Sequence, residues 1–181
     1  MRHGRARRTA DRVHRCGRPD RARLLDRCRQ LTEQVNNLER QIRDRVRRIA
    51  PSLLSIPGCG VLSAAVIIGE TADARRFHSK DAYAKFNGTA PIPVWSAHER
   101  VRLNRGGNRA VNSALHAIAT TQVARGGPGG DYVAKQQAAG KTKREAVRLL
   151  RRRVSDRVFQ VLRTIESSIE NRTQGPLSAA A

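Results

Sequence analysis

Apolar residues recur along residues 24–49 at alternating steps of four and three, the spacing of the seam of a coiled-coil helix. After Ile42 the pattern continues at Val46 and Ile49 with one extra residue, which indicates a local stutter. Pro51 ends or kinks the helix. We therefore predict a coiled-coil helix over residues 22–50, paired either in a dimer or in an antiparallel hairpin, or else packed on the domain that follows. The seam consists of Leu24, Cys28, Leu31, Val35, Leu38 and Ile42.

A glycine turn and a helix of small residues follow in SIPGCGVLSAAVIIGE, residues 55–70. Gly58 and Gly60 flank one residue and allow a tight turn with positive φ. The helix predicted from Val61 to Gly69 would direct its free N–H groups at this turn, where a phosphate could bind. The pattern resembles the helix-hairpin-helix DNA-binding motif. The alternative is a corner between helices that binds nothing.

The rest of the chain predicts further helices and no strand of useful length. Ser79 caps a short helix that ends at Asn87-Gly88, and two prolines then force an extended path over residues 91–93. Helices are predicted over residues 110–124, over residues 132–139 behind a cap at Asp131, and from Thr142 to about residue 169. Glu145 lies three residues after Thr142 and completes a capping box. The fold class is therefore all-α, a coiled-coil helix followed by a compact helical domain.

We expect four segments along the chain. Residues 1–21 are arginine-rich with few apolar residues, so we expect a disordered basic arm there. The coiled-coil helix over residues 22–50 leads to a compact helical domain over residues 51–170. Residues 171–181 form a flexible tail.

Composition narrows the class of partner. Hydrophobic residues make up 39% of the chain and aromatics only 3%, so we expect a core of Ala, Val, Leu and Ile. Lys and Arg number 36 against 15 acidic residues, a formal charge of +21. Arginine binds phosphate oxygens bidentately. This balance favours nucleic acid as the partner.

Several other functional classes find no support in the sequence. Cys16, Cys28 and Cys59 are isolated, which argues against a zinc site and a disulfide framework. No P-loop, zinc-protease helix or cluster of metal ligands occurs. No apolar run could span a membrane, and the N-terminus lacks the apolar region of a secretory signal. We expect a cytoplasmic protein without a membrane partner.

One serine is a candidate nucleophile. Ser96 follows the two prolines in an extended loop, and a serine attacks a phosphodiester only when its proton is accepted and the developing charge is neutralised. The basic segment after it could neutralise that charge and bind nucleic acid. From the residues alone, an unreactive loop serine is the alternative, and Ser113 and His116, inside a helix, are expected to be structural. The candidate binding residues are Gly58, Gly60, Arg100, Arg102, Arg105, Gly107, Asn108 and Arg109.

Four stretches together resemble the C-terminal transposase domain of the insertion-sequence "one-ten" family, the bridge-RNA-guided serine transposases. They lie in order within the segment from residue 53 to about residue 162: SIPGCGVLSAAVIIGE, RRFHSKDAYAKFNGTAPIPVWS, RLNRGGNRAVNSALHAIATTQ and AAGKTKREAVRLLRRRVSDRVF. The resemblance implies DNA transposition and recombination through a covalent serine–DNA intermediate, with Ser96 at the position of the nucleophile. It also implies a structured guide RNA and a homo-oligomer, for which the coiled coil would provide the interface.

The chain departs from the family pattern at three places. Trp95 and Ala97 replace the usual serine and glycine beside Ser96, and Gly106 stands where an arginine is common. The resemblance also implies an acidic N-terminal domain that would bind divalent metal, and we expect that domain to be missing here. We therefore expect no cofactor in this chain, a truncated transposase that binds DNA, and incomplete catalysis by the chain alone. The alternative function is a non-catalytic helix-hairpin-helix DNA-binding module.

Overall fold

A computed structural model of the protein describes residues 6–94, 100–102, 104 and 106–174. Its helices and strands confirm the predicted all-α class, since the two strands have only three residues each. Short 3-10 turns at Pro51–Ser55 and Ala74–Arg76 follow α1 and α2 respectively. The elements are α1 (Ala6–Ile49), α2 (Val61–Thr71), α3 (Lys80–Phe86), β1 (Ile92–Val94), β2 (Arg100–Arg102), α4 (Arg109–Arg125), α5 (Pro128–Ala138) and α6 (Lys143–Gln174).

The β1–β2 pair was not predicted. The strands run antiparallel, with Ile92 opposite Arg102 and Val94 opposite Arg100. The sequence does predict the extended path of β1, because of its prolines, but three residues are too few for an alternating pattern to be recognised. Proline lacks an N–H donor, and a two-stranded sheet accommodates Pro93 because both of its strands are edges.

The chain divides into two compact units, residues 1–41 and residues 42–181. In the first unit, α1 begins at Ala6, within the residues where a disordered arm was expected. Seam residues of this unit are exposed, among them Leu24 at 66% and Val35 at 60%. In the second unit, Val46 is only 3% exposed and Ile42 packs against the same core. The apolar repeat is therefore exposed in the first unit, while Ile42 and Val46 pack in the core of the second and Ile49, its last residue, is 53% exposed.

The core of the second unit forms around α6. This helix contacts α3, α4, α5 and both 3-10 turns, while α2 packs on α4. On α4 the fully buried residues Val111, Leu115 and Ile118 recur at steps of four and three, so one face of the helix enters the core. Burying each such side chain stabilises the fold by about 1.5–3 kcal/mol.

Aromatic residues contribute more to this core than the composition suggested. Phe77 packs on Tyr83 and Phe86 with ring centroids 5.3 and 5.0 Å apart, and Tyr83 stacks on Phe159 at 5.4 Å. The Tyr83 hydroxyl lies 3.2 Å from the Thr71 hydroxyl. Burial raises the pKa of Tyr83 to about 12, so its hydroxyl group stays protonated. The expectation of a purely aliphatic core was wrong, because few aromatics gathered at one place still form a cluster.

Two of the three predicted helix caps are confirmed. The Ser79 hydroxyl accepts a hydrogen bond from the Ala82 amide at 3.1 Å. Glu145 accepts hydrogen bonds from the Thr142 amide and hydroxyl, while the Thr142 hydroxyl accepts one from the Glu145 amide. The cap at Asp131 was wrong, because α5 already begins at Pro128, a residue suited to the first helical position.

Throughout the described residues, no helix combines the length and the apolar character that crossing a membrane requires.

Candidate nucleic-acid interface

The turn before α4 packs closely against the end of α3. A Cβ atom on Gly107 would lie 2.3 Å from the backbone nitrogen of Gly88, so only glycine fits at residue 107. Asn104 fixes the turn on both sides: its Nδ2 donates to the Lys85 carbonyl at 3.1 Å, and its Oδ1 accepts from the Gly106 amide at 2.9 Å. The turn is therefore held by the Asn104 side chain and by the close packing of Gly107 on Gly88. The backbone from which the following side chains extend is fixed in place.

Asn108 joins this turn to three helices. Its Oδ1 caps α4 by accepting from the Val111 amide at 3.0 Å, and its Nδ2 donates to Glu70 of α2 at 2.7 Å. Its backbone N–H donates to the Phe86 carbonyl of α3 at 2.6 Å. Both polar groups of the side chain are thus bonded within the protein, so Asn108 has a structural role that the sequence did not reveal.

A cavity of about 570 Å³ opens beside the start of α4. The α4 residues that line it lie at steps of three, one and three, which places them on one face of the helix. Arg151 of α6 lines the cavity from another side, and Asn104 and Gly107 lie at its edge. The described lining residues include no acidic side chain. Those from α4 are Arg109, Asn112, Ser113 and His116.

Arg151 is half-buried and has no acidic partner among the described residues. Its Nη1 donates to Asn112 Oδ1 at 3.1 Å, and its Nε is buried without a hydrogen-bond partner. Burial lowers the pKa of the Arg151 guanidinium, and repulsion from Arg148 lowers it further; arginine nevertheless stays protonated in proteins. The next residue, Arg152, differs because it forms ion pairs with Asp81 and Asp156.

A second cavity, of about 390 Å³, shares Arg151 and Asn104 with the first. Arg102, Lys141 and Arg148 add further cationic side chains to its lining. Glu145 is the one acidic residue of the described lining, and it is bonded to Thr142, which lowers the pKa of its carboxyl group. The two cavities together present a continuous cationic surface, which we call the α4–α6 basic surface.

The predicted hairpin at residues 57–60 docks on α4. Gly58 has φ +77°, and a Cβ atom there would lie 2.8 Å from the Ile118 carbonyl oxygen. Gln122 Nε2 donates to the Pro57 carbonyl at 2.7 Å. Gly60 differs, because no atom lies within 4 Å of a Cβ built on it. It stands at the N-cap of α2 without a side-chain cap, and a 3-10 turn rather than an α-helix precedes the hairpin.

The residues predicted around the nucleophile are placed only in part. Ser96 and Arg105 lie outside the described residues, as do Trp95 and Ala97. Arg100 and Arg102 belong to β2, and the exposed Arg102 side chain lines the second cavity. Arg109 is exposed and lines the first.

Four side chains of this surface were not among the predicted binding residues: Asn112, Ser113, His116 and Arg151. Ser113 was expected to have a packing role and His116 a structural one, but both are exposed, while Leu115 and Ile118 on the opposite face of α4 are buried. The signal that could have found the α4 residues is the polar spacing 109, 112, 113 and 116. Nothing local to Arg151 distinguishes it from the neighbouring arginines of α6.

In the part of the chain that the structure describes, no three His, Cys, Asp or Glu side chains come together as they would to hold a metal ion.

Comparison with known proteins relates the second unit to insertion elements. Residues 50–134 match the family model described as "Transposase IS116/IS110/IS902 family". The chain is 33% identical over 136 residues to the insertion element IS110 uncharacterized 43.6 kDa protein of Streptomyces coelicolor, covering 72% of this chain and 33% of that protein. It is 28% identical over 137 residues to the insertion element IS116 uncharacterized 44.8 kDa protein of Streptomyces clavuligerus, covering 74% and 34% respectively. The chain thus spans about a third of the length of these curated relatives.

Proposed function

This chain carries a domain of the IS116/IS110/IS902 transposase family, and we propose that it binds DNA in the transposition of an insertion sequence. The match confirms the family resemblance inferred from the motifs. The single observation that carries the DNA-binding proposal is the α4–α6 basic surface, where Arg102, Arg109 and Arg151 face open cavities and lack acidic partners among the described residues. Cationic side chains in this arrangement attract a phosphate backbone without regard to sequence.

We further propose Ser96 as the nucleophile. In this reaction the Ser96 Oγ–H proton passes to a base, an Oγ–P bond forms, and the bond between phosphorus and one sugar oxygen breaks. The released sugar oxygen takes up a proton, and the DNA stays linked to the protein by a phosphodiester. The described strands β1 and β2, which precede and follow residues 95–99 in the chain, pair with each other.

Arginines near the nucleophile would stabilise the negative charge that develops on the phosphoryl oxygens. β2 ends at Arg102 and is separated by one residue from Asn104, which lines both cavities. The chain distance from Ser96 to this surface is therefore short. A metal-binding domain of the kind that the family resemblance implies would supply further charge stabilisation and an acid or base.

The two turns would contribute differently to DNA binding. At the hairpin, the uncapped N-terminus of α2 behind Gly60 offers backbone N–H groups to a phosphate. At the turn before α4, Gly107 and Asn108 hold the structure, and Arg109 supplies the contact with phosphate.

We also propose a homo-oligomer through the exposed seam residues Leu24 to Leu38 of α1, and a structured guide RNA as a further partner.

The nucleophile is tested by trapping the covalent intermediate. The protein is incubated with labelled supercoiled DNA that carries the ends of the element, and adducts are detected on a denaturing gel. The parts of the Streptomyces coelicolor relative outside its matched third are added in trans. We expect an adduct with the wild type and with the control Ser167→Ala, whose exposed serine lies near the end of α6, and none with Ser96→Ala.

A second candidate function is a non-catalytic DNA-binding module. The observation that favours it is the docked hairpin, whose fixed turn leaves Gly60 and the start of α2 open to a ligand. The same experiment separates the two functions. DNA binding on a native gel without any adduct on the denaturing gel, even with the added parts of the relative present, would contradict the proposed nucleophile and support the module. Absence of DNA binding would contradict both.

A further inference from the structure

The described structure holds the Arg151 guanidinium in place, but no acidic side chain among the described residues compensates its positive charge. A half-buried cation loses hydration, and it is normally compensated by an acidic partner or by hydrogen bonds to all its donors. Within the described residues, Arg151 has one hydrogen bond, to Asn112, and a buried Nε without a partner. Its neighbour Arg148 adds repulsion and lowers its pKa further. An anion beside Arg151 would relieve both the desolvation and the repulsion.

Buried residues preorganise the guanidinium for such an anion. Asn112 Nδ2 donates to the Asn87 carbonyl at 2.7 Å, and Asn87 Nδ2 donates to the Ser155 hydroxyl at 2.7 Å. Asn87 and Ser155 are both fully buried. This chain of hydrogen bonds fixes Asn112, and Asn112 fixes Arg151. A donor that is held before the ligand arrives loses little conformational entropy on binding.

The other side chains of the first cavity suit a phosphate group. Arg109 adds a second guanidinium, Ser113 a hydroxyl and His116 a ring that can donate, all from one face of α4. Guanidinium groups bind phosphate oxygens bidentately, and a hydroxyl donates to a further oxygen. A volume of about 570 Å³ also leaves room for the sugars on either side of a backbone phosphate.

We propose that the cavity between α4 and α6 is a binding site for a backbone phosphate of nucleic acid, with Arg151 as its central donor and Arg109, Ser113 and His116 around it. The identification of nucleic acid as the source of the phosphate rests on the proposed function. The phosphate site itself rests on the cavity, its cationic lining and the uncompensated arginine. Arg151 lies beyond residues 50–134, which the family model matches.

The central experiment measures the salt dependence of DNA binding by fluorescence anisotropy, with a labelled duplex and the full chain. We expect Arg151→Gln to lower the slope of log affinity against log salt by about one, because one phosphate contact and its released counterion are lost. The matched control is Arg163→Gln, which removes one exposed arginine from the same helix, outside the cavity, and should change the slope far less.

A second measurement uses inorganic pyrophosphate as the probe and follows the thermal unfolding midpoint at constant ionic strength. Pyrophosphate should raise the midpoint of the wild type and of Arg163→Gln, and raise that of Arg151→Gln much less. Without the probe, Arg151→Gln should unfold at or above the wild-type midpoint, because an uncompensated charge is removed. A purely structural role for Arg151 would instead lower that midpoint and leave the pyrophosphate response unchanged.

If Arg151→Gln does not fold, Ser113→Glu provides a second test of the phosphate site. The exposed position tolerates glutamate, and the added carboxylate should weaken both DNA and pyrophosphate binding by repulsion. If wild-type protein binds DNA but the Arg151 and Ser113 variants keep its salt slope and its pyrophosphate response, the phosphate site is overturned and the proposed function stands. If the wild type binds no DNA but shows the Arg151-dependent pyrophosphate response, the site is supported and the proposed function fails.

Discussion

The turns at residues 57–60 and 104–108 each contain two glycines but differ in what they offer a ligand. Each leads into a helix and has one packed glycine and one open glycine: Gly58 and Gly107 are packed, Gly60 and Gly106 open. The helix after the first turn lacks a side-chain cap, whereas Asn108 caps the helix after the second. A ligand would therefore meet backbone N–H groups at the first turn and side chains at the second.

This difference shows that glycines in such turns do not by themselves identify a phosphate site. In both turns the packed glycine is required by a neighbouring backbone, the Ile118 carbonyl in one case and Gly88 in the other. In each turn, the residues that could contact a ligand are those beside the packed glycine. Stability and DNA affinity should therefore respond to different substitutions, which the following variants test.

The largest effect is expected for Gly107→Ala. A Cβ atom at residue 107 would lie 2.3 Å from Gly88 N and 2.5 Å from its Cα, and two backbone segments must separate to admit it. We expect a loss of about 3 kcal/mol in the free energy of unfolding, measured by urea denaturation. Gly106→Ala is the control, since its nearest atom would be 3.6 Å away, and a similar loss there would contradict the packing argument.

Gly58→Ala should cost less, about 2 kcal/mol, from its positive φ and the contact with the Ile118 carbonyl oxygen. Gly60→Val should cost less, about 1 kcal/mol, because no atom lies near its Cβ position and the loss is limited to replacing glycine by valine at the N-cap of α2. If the start of α2 contacts a phosphate, Gly60→Val should weaken DNA binding to all sequences alike. Unchanged affinity in this folded variant would make the first turn a structural corner only.

Asn108→Ala tests whether Asn108 stabilises the fold rather than contacting DNA. It removes the cap of α4 and the hydrogen bond to Glu70, and we expect a loss of about 1 kcal/mol in unfolding free energy. Asn108→Ser keeps a capping oxygen and should recover most of this loss. DNA affinity, measured at a temperature where both variants are folded, should match the wild type; a selective loss of affinity would assign Asn108 to DNA contact instead.

The smallest effect is expected for Glu70→Leu, which removes the hydrogen bond between α2 and Asn108. Glu70 is exposed, so we expect only about 0.5–1 kcal/mol from thermal or urea unfolding. Glu33→Leu, at an exposed position of α1, controls for the change in charge. A loss as large as that of Asn108→Ala would indicate that the link to α2, rather than the helix cap, explains the role of Asn108.

The sequence predicts features that depend on neighbouring residues. Helices follow from apolar spacing, and the caps at Ser79 and Thr142 follow from side chains three residues from their partners. The α4–α6 basic surface depends on contacts that no local pattern contains. Asn112 and Arg151 are 39 residues apart, and Asn87 and Ser155 are 68 apart. Because Arg148, Arg151 and Arg152 look alike in sequence, only the tertiary contacts distinguish the paired arginine from the uncompensated one.

The position of α6 in the chain has a consequence for biosynthesis. This helix contacts α3, α4, α5 and both 3-10 turns, yet it comes after all of them in the order of translation. The earlier helices of the second unit must leave the ribosome with the apolar faces that α6 covers still exposed to solvent. Domains form as cooperative units during synthesis, so this unit can complete its core only once residues 143–165 have emerged, and nascent chains that stall before that point are candidates for chaperone binding.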